Sequence, residues 1–285
     1  MSTRTLLQPH PKDLGGGFVV RRLLPAAARQ AVGPFLFYDH FGPVDVPADA
    51  DHDVRPHPHI GLATVTYLFE GAMLHRDSTG AVQRIEPGAI NWMTAGRGIV
   101  HSERTPPELR GRPRRSHGLQ LWAALPERDE EMAPSFVHTP AADIPLWQGD
   151  GAMVRVLVGE AFGLRSPVRT RSPTLYLDIQ LRAGASLVLP QAAERALYAV
   201  DAPFSLDTEP MPAQRLVLLE PGEQPVLGAS NDTRLVLIGG EPLGRRFMAW
   251  NFVSSRRERI QQAQDDWRAQ RFDAVPGETE FVPLP

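Results

Sequence analysis

Short apolar runs rich in Thr, Val, Tyr and Ile alternate along the chain with Gly, Pro, Asp and Ser, most clearly between Gly61 and Val100. There GLATVTYLFEG, AMLHRDSTG and AVQRIEPGAINWMTAGRGIV read as strand, turn, strand, turn. β-Branched and aromatic residues suit a pleated, half-buried surface, and turn signals at roughly ten-residue intervals are those of a small barrel or sandwich. The segment from Pro126 to Trp147 (PERDEEMAPSFVHTPAADIPLW) lacks such a period and marks a connection. Beyond it the strand texture returns in LYLDIQLRAGASLVL (from Leu175), Arg195 to Val200, Gln214 to Leu219 and Thr233 to Ile238. The pattern predicts an all-β protein of two tandem barrels, spanning residues 1–140 and 141–285. One element differs: Ile260, Ala263 and Trp267 fall at i, i+3 and i+7, predicting a short amphipathic helix from Arg256, capped by Ser254 or Ser255 and packed on a barrel.

Composition agrees with this picture and narrows the function. The 285 residues are 42% hydrophobic, enough for one large core or two modest ones. Their 28 prolines and 24 glycines are spread along the whole length, as short strands and turns require. Thirty basic residues against 33 acidic ones give a net charge of -3, which offers no electrostatic footprint for nucleic acid or an anionic membrane. The N-terminus lacks an apolar leader and no apolar run is long enough to span a bilayer, so a cytoplasmic protein is expected. With no cysteine, disulfides, iron–sulfur clusters and thiolate metal sites are excluded, leaving histidine and carboxylate as ligands for any metal.

Candidate ligands occur in two pairs. In DHDVRPHPHIG, His57 and His59 stand two residues apart, and in an extended strand residues i and i+2 share a face. In AGRGIVHSERTP, His101 and Glu103 repeat that spacing after a glycine-rich turn. A single such pair is commonly a solvated loop; two pairs at strand spacing, each bounded by Gly or Pro, point to one ion held by three imidazoles and a carboxylate. That donor set suits iron, manganese, nickel, copper or zinc and suits magnesium or calcium poorly. His10, His52 and His138 read as surface residues, His75 and His117 as strand residues with a hydrogen-bonded or exposed role, and His40 as a candidate for a pocket mouth.

RPHPHIGLATVTYLFEG and PGAINWMTAGRGIVHSE resemble the two signature segments of the pirin family of bicupins. FLFYDHFGP, LQLWAALP and GEPLGRRFMAWNFVSSRRERIQQAQDDWRAQRF extend the resemblance over nearly the whole chain. It implies two jelly-roll-like cupin barrels, with one divalent metal, usually iron(II), held in the first by His57, His59, His101 and Glu103. It also implies a choice of function. Some pirins are credited with quercetin 2,3-dioxygenase activity, in which a flavonol chelates the metal, reacts with dioxygen and loses carbon monoxide; Glu103 is then the catalytic base. Others are described as regulatory proteins that bind a protein partner. Two departures bear on the site. Ile60 and Ala63 replace the Arg and Glu of the frequent HPHRGFET, which makes the surroundings more apolar. No histidine follows His138, so the second cupin is expected to hold no metal.

Overall fold

In a computed structural model that describes residues 4–15, 17–50 and 52–285 the β-prone runs form strands, and so does Ser135–Thr139 inside the segment expected to be a connection, pairing with Ile90–Thr94. They assemble into two compact units. One contains Pro11–Arg21, Tyr38–Ala141 and Leu243–Pro285. The other contains the described residues up to His10, together with Arg22–Phe37 and Ala142–Pro242. The predicted cut at residue 140 falls beside the change of unit, but neither unit is a continuous stretch. Residues 243–285 return to the unit of the paired histidines because their apolar side chains complete a cluster there: Phe252, Ile260, Ala263, Trp267 and Val275 pack with Ile60 and Val100.

The same plan of sheets occurs twice. A seven-stranded sheet runs Ser135–Thr139, Ile90–Thr94, Leu62–Glu70, Arg114–Ala124, Phe35–Val46, Val19–Leu24, His10–Asp13, and a four-stranded sheet runs Val54–His59, Ile99–Arg104, Met73–Asp77, Val82–Ile85. Phe41 and Leu68 from the larger sheet pack with Ile85 from the smaller. In the second set the seven strands run Leu6–Leu7, Leu216–Leu219, Glu194–Ala199, Thr233–Gly240, Thr174–Leu181, Ala152–Val158, Leu146–Gly149. Four shorter strands complete it: Ser186–Val188, Val226–Gly228, Phe204–Leu206 and Glu209–Met211. Leu177, Leu197 and Leu237 meet Leu187, Leu206 and Leu227 in that core. Two sheets closed over an apolar interior in this way are the cupin form of a jelly roll.

Val54–His59 contains two prolines, which a central strand does not tolerate because each lacks a backbone donor. It lies accordingly at the edge of the four-stranded sheet, paired only with Ile99–Arg104. The next turn depends on Gly61, whose φ of 68° is left-handed and whose added Cβ would lie 2.0 Å from the Val253 carbonyl oxygen. That close approach lets Val253 N donate to Ile60 O at 3.2 Å, docking the C-terminal hairpin (Phe247–Ala249, Phe252–Ser254) beside the paired histidines.

The helix spans Arg257–Arg268 and buries Ile260, Ala263 and Trp267, the face expected of it. Its cap differs from the expectation. Arg256 is the N-cap and makes no side-chain capping bond, whereas the two serines hold Glu130. Glu130, only 3% exposed, accepts from Ser254 Oγ at 2.9 Å, Ser255 N at 2.9 Å and Ser255 Oγ at 3.0 Å, and pairs with Arg246 Nε at 2.9 Å. Among the described residues no helix is long and apolar enough to cross a membrane.

Glu130→Ala removes the carboxylate on which Arg246 and both serines converge and leaves their polar atoms without it. A loss of about 3 kcal/mol is expected, read as a lower urea midpoint at unchanged slope.

Candidate metal centre

Cross-strand register brings the two predicted pairs together. His101 pairs with His57 and Ile99 with His59, and the His59 Nε2 and His101 Nε2 atoms lie 3.1 Å apart. The His57 and His101 ring centroids are 4.3 Å apart, and one nitrogen from each of the three rings lies within 4.8 Å of the others. His59 and His101 are 1% exposed and His57 is 9% exposed, so the cluster is buried and approaches solvent at His57.

The ring partners fix which nitrogens carry protons. His57 Nδ1 donates to the Arg55 carbonyl at 2.8 Å and His59 Nδ1 to the Asn251 carbonyl at 3.1 Å. A carbonyl oxygen can only accept, so both Nδ1 atoms bear hydrogen and both Nε2 atoms present lone pairs. Burial opposes any further proton. It lowers the His57 pKa to about 4 and holds His59 and His101 well below the ordinary imidazole value, with the neighbouring rings adding to the effect. Neutral imidazoles with inward lone pairs are what a divalent cation requires.

Glu103 follows two residues later on the same strand and is not one of the three groups within 4.8 Å. The residue is partly exposed, but its Oε1 atom is buried and makes no hydrogen bond. Burial pushes its pKa up to about 7. A buried carboxylate oxygen without a hydrogen-bond donor, two residues along the strand from His101, and a cluster of three neutral imidazoles make up a nitrogen and oxygen donor set that a divalent transition metal accepts, so the residues fit the implied group.

Several contributors were not visible as functional in the sequence. Asn251 offers a backbone carbonyl, which no residue type reveals. The Trp122 ring stands edge-on to His59 with centroids 5.1 Å apart. His75 is 3% exposed and lies behind His101, Nδ1 to Nδ1 at 3.5 Å. The hydrogen-bonded role expected for it is found; its position next to a candidate ligand was not foreseen. His40 does not line a pocket mouth. It is fully buried with Nε2 2.9 Å from His117 Nε2, and burial, then the Arg21 charge, drives its pKa far down. Ile60 and Ala63, the two departures from the frequent family pattern, are buried at 1% and 0% exposure, and Ile60 packs on Phe252 in the C-terminal cluster.

The model of the pirin family matches residues 17–123 and that of the pirin C-terminal cupin domain matches residues 176–273. A pirin-like protein of Caulobacter vibrioides is 46% identical over 283 residues, covering 96% of each chain. The crystal structure of quercetin 2,3-dioxygenase from Acinetobacter baumannii superposes with a TM-score of 0.92 at 34% identity, covering 99% of this chain and 95% of that one. Bacterial pirin YhhW of Escherichia coli, solved in complex with nickel(II), shares the fold with a TM-score of 0.64 at 17% identity, over 84% of this chain and all of its own.

The raised Glu103 pKa gives a stability test in chelator-treated protein. A carboxyl that titrates near 7 when folded and near 4.5 when unfolded contributes stability at low pH and loses it as pH rises between those values. Glu103→Gln cannot ionise, so its unfolding temperature should exceed that of the wild type at pH 8, and the gap should close as pH is lowered toward about 4.5. Differential scanning calorimetry across that range checks both the sign and the window.

Proposed function

From the premise that the chain belongs to the pirin family, we propose that His57, His59, His101 and Glu103 hold one divalent transition metal, iron(II), and that the loaded protein is a quercetin 2,3-dioxygenase-type enzyme. The observation that carries this reading is the convergence of three neutral imidazoles, one nitrogen of each within 4.8 Å of the others; Glu103, two residues beyond His101 with a buried oxygen that has no hydrogen-bond partner, is proposed as the fourth ligand. Nickel, copper, manganese and zinc satisfy the same donors, so iron rests on the family resemblance. When bound, such a metal supplies a Lewis acid with positions for the neighbouring oxygens of a flavonol and for dioxygen.

The rest of the chemistry falls to the chain's own residues. Arg55 O and Asn251 O fix two imidazole rings in the tautomer that points lone pairs inward. Glu103 would serve as both ligand and base, taking the proton of a phenolic hydroxyl by loosening one oxygen from the ion. The Trp122 ring against His59 gives the site an aromatic wall, which favours an aromatic substrate over a charged one. The relationship to the Acinetobacter baumannii quercetin 2,3-dioxygenase supports the choice of reaction class.

A regulatory, partner-binding role is the second reading. It is favoured by the alternation of Ile99–Arg104: while His101 and Glu103 belong to the site, Ser102 and Arg104 bind Glu278 of the C-terminal segment. A metal-dependent shift of that strand would thereby reach a charged surface.

Tag-free protein reconstituted anaerobically with iron(II) should bind one equivalent and, given quercetin, consume dioxygen with matching release of carbon monoxide. His101→Ala should lose bound iron and at least tenfold in turnover. Stoichiometric iron without oxygen uptake would reject the dioxygenase and leave the partner-binding role. Turnover unchanged in His101→Ala would assign the signal to background flavonol oxidation.

A further inference from the structure

The three imidazoles of the cluster are not held alike. His57 and His59 donate to backbone carbonyls, whereas the outer nitrogen of His101 faces another side chain, His75. Behind His75 stands Asp77, with Oδ2 2.9 Å from His75 Nε2. Asp77 is 0% exposed, and its other oxygen accepts from Thr79 N at 2.8 Å, Thr79 Oγ1 at 2.6 Å and Ala81 N at 3.2 Å. A carboxylate so supplied with donors is ionised, and an ionised carboxylate only accepts. His75 Nε2 therefore carries the hydrogen, and the Nδ1 of the neutral ring is left as an acceptor. That acceptor lies 3.5 Å from His101 Nδ1, which must supply the hydrogen, so His101 Nε2 is free to face His59 Nε2 at 3.1 Å.

Register and packing hold the chain in place. Asp77 lies opposite His101 and His75 opposite Glu103 across the same strand pair, and the His75 ring stacks on Phe136 at 4.2 Å with 17° between planes. Ser78 ties the following turn to the same strand, since its N donates to Val100 O at 2.8 Å and its Oγ accepts from Val100 N at 3.1 Å.

We infer that Asp77 and His75 are positioning residues that act through His101, fixing its tautomer and orientation and making it the strongest nitrogen donor of the three. Asp77 polarises the neutral His75 ring, whose Nδ1 then draws the His101 hydrogen more strongly than a backbone carbonyl does, and so raises electron density on the opposite nitrogen of His101. The inference rests on the metal-centre reading above and adds to it residues that touch neither metal nor substrate.

Cobalt(II) alone is a suitable probe, because its visible ligand-field bands report donor strength without turnover. His75→Phe keeps a ring to stack on Phe136 and deletes the acceptor; Asp77→Asn keeps the shape and deletes the charge. Each should weaken cobalt binding by about 10- to 100-fold in a chelator competition, and at saturation each should shift the bands relative to wild type. A pair that only stabilises the fold would lower the unfolding temperature of chelator-treated protein and leave the saturated spectrum and the affinity unchanged; that result overturns the inference. Wild-type protein that binds no cobalt would instead remove the metal centre itself, and this inference with it. If neither variant folds, nitrogen-15 chemical shifts of the chelator-treated wild type decide: His101 should be the Nδ1–H tautomer, and an Nε2–H tautomer overturns the assignment.

Discussion

Three imidazole rings can crowd into a space closed to water only if none is charged and each outer nitrogen has a partner. The organisation of the first cupin follows from that constraint. Two rings are satisfied by carbonyls, one within its own edge strand and one from the C-terminal hairpin, and the third by His75. Each arrangement turns the remaining nitrogen inward, so the cluster concentrates lone pairs and collects no hydrogen-bond donors. Glu103, two residues beyond His101 on the same strand, adds a buried oxygen that has no hydrogen-bond partner.

The same constraint explains why part of the molecule was legible in the sequence. His57 with His59, and His101 with Glu103, could be recognised because strand geometry turns a spacing of two residues into a shared face. The strand runs were visible for the same reason, and so was the buried face of the helix. What escaped was set by long-range pairing. Asn251 enters through its backbone and His75 through register with a strand more than twenty residues away. Glu130, which reads as part of an acidic connection, is a buried anchor because two serines and Arg246 converge on it from the C-terminal segment. Those serines read equally well as helix caps, since a hydroxyl near a helix start serves either purpose. His40 looked like a residue of a pocket mouth, and only the neighbouring strand reveals His117 as its partner.

The two barrels share a plan of seven strands against four but differ in what fills them. The second is lined by Leu, Val and Ile, and its strand Glu194–Ala199 carries Arg195, whose guanidinium donates to the Pro190 and Glu223 carbonyls.

The hydrogen bond from His59 to Asn251 joins residues 192 positions apart. Because a ribosome delivers the N-terminal end first, both histidine pairs emerge and can fold into their strands well before the residue that secures His59 has been made. Until the end of the chain folds back, His59 lacks the acceptor that fixes its ring, so the trio acquires its final orientation only then.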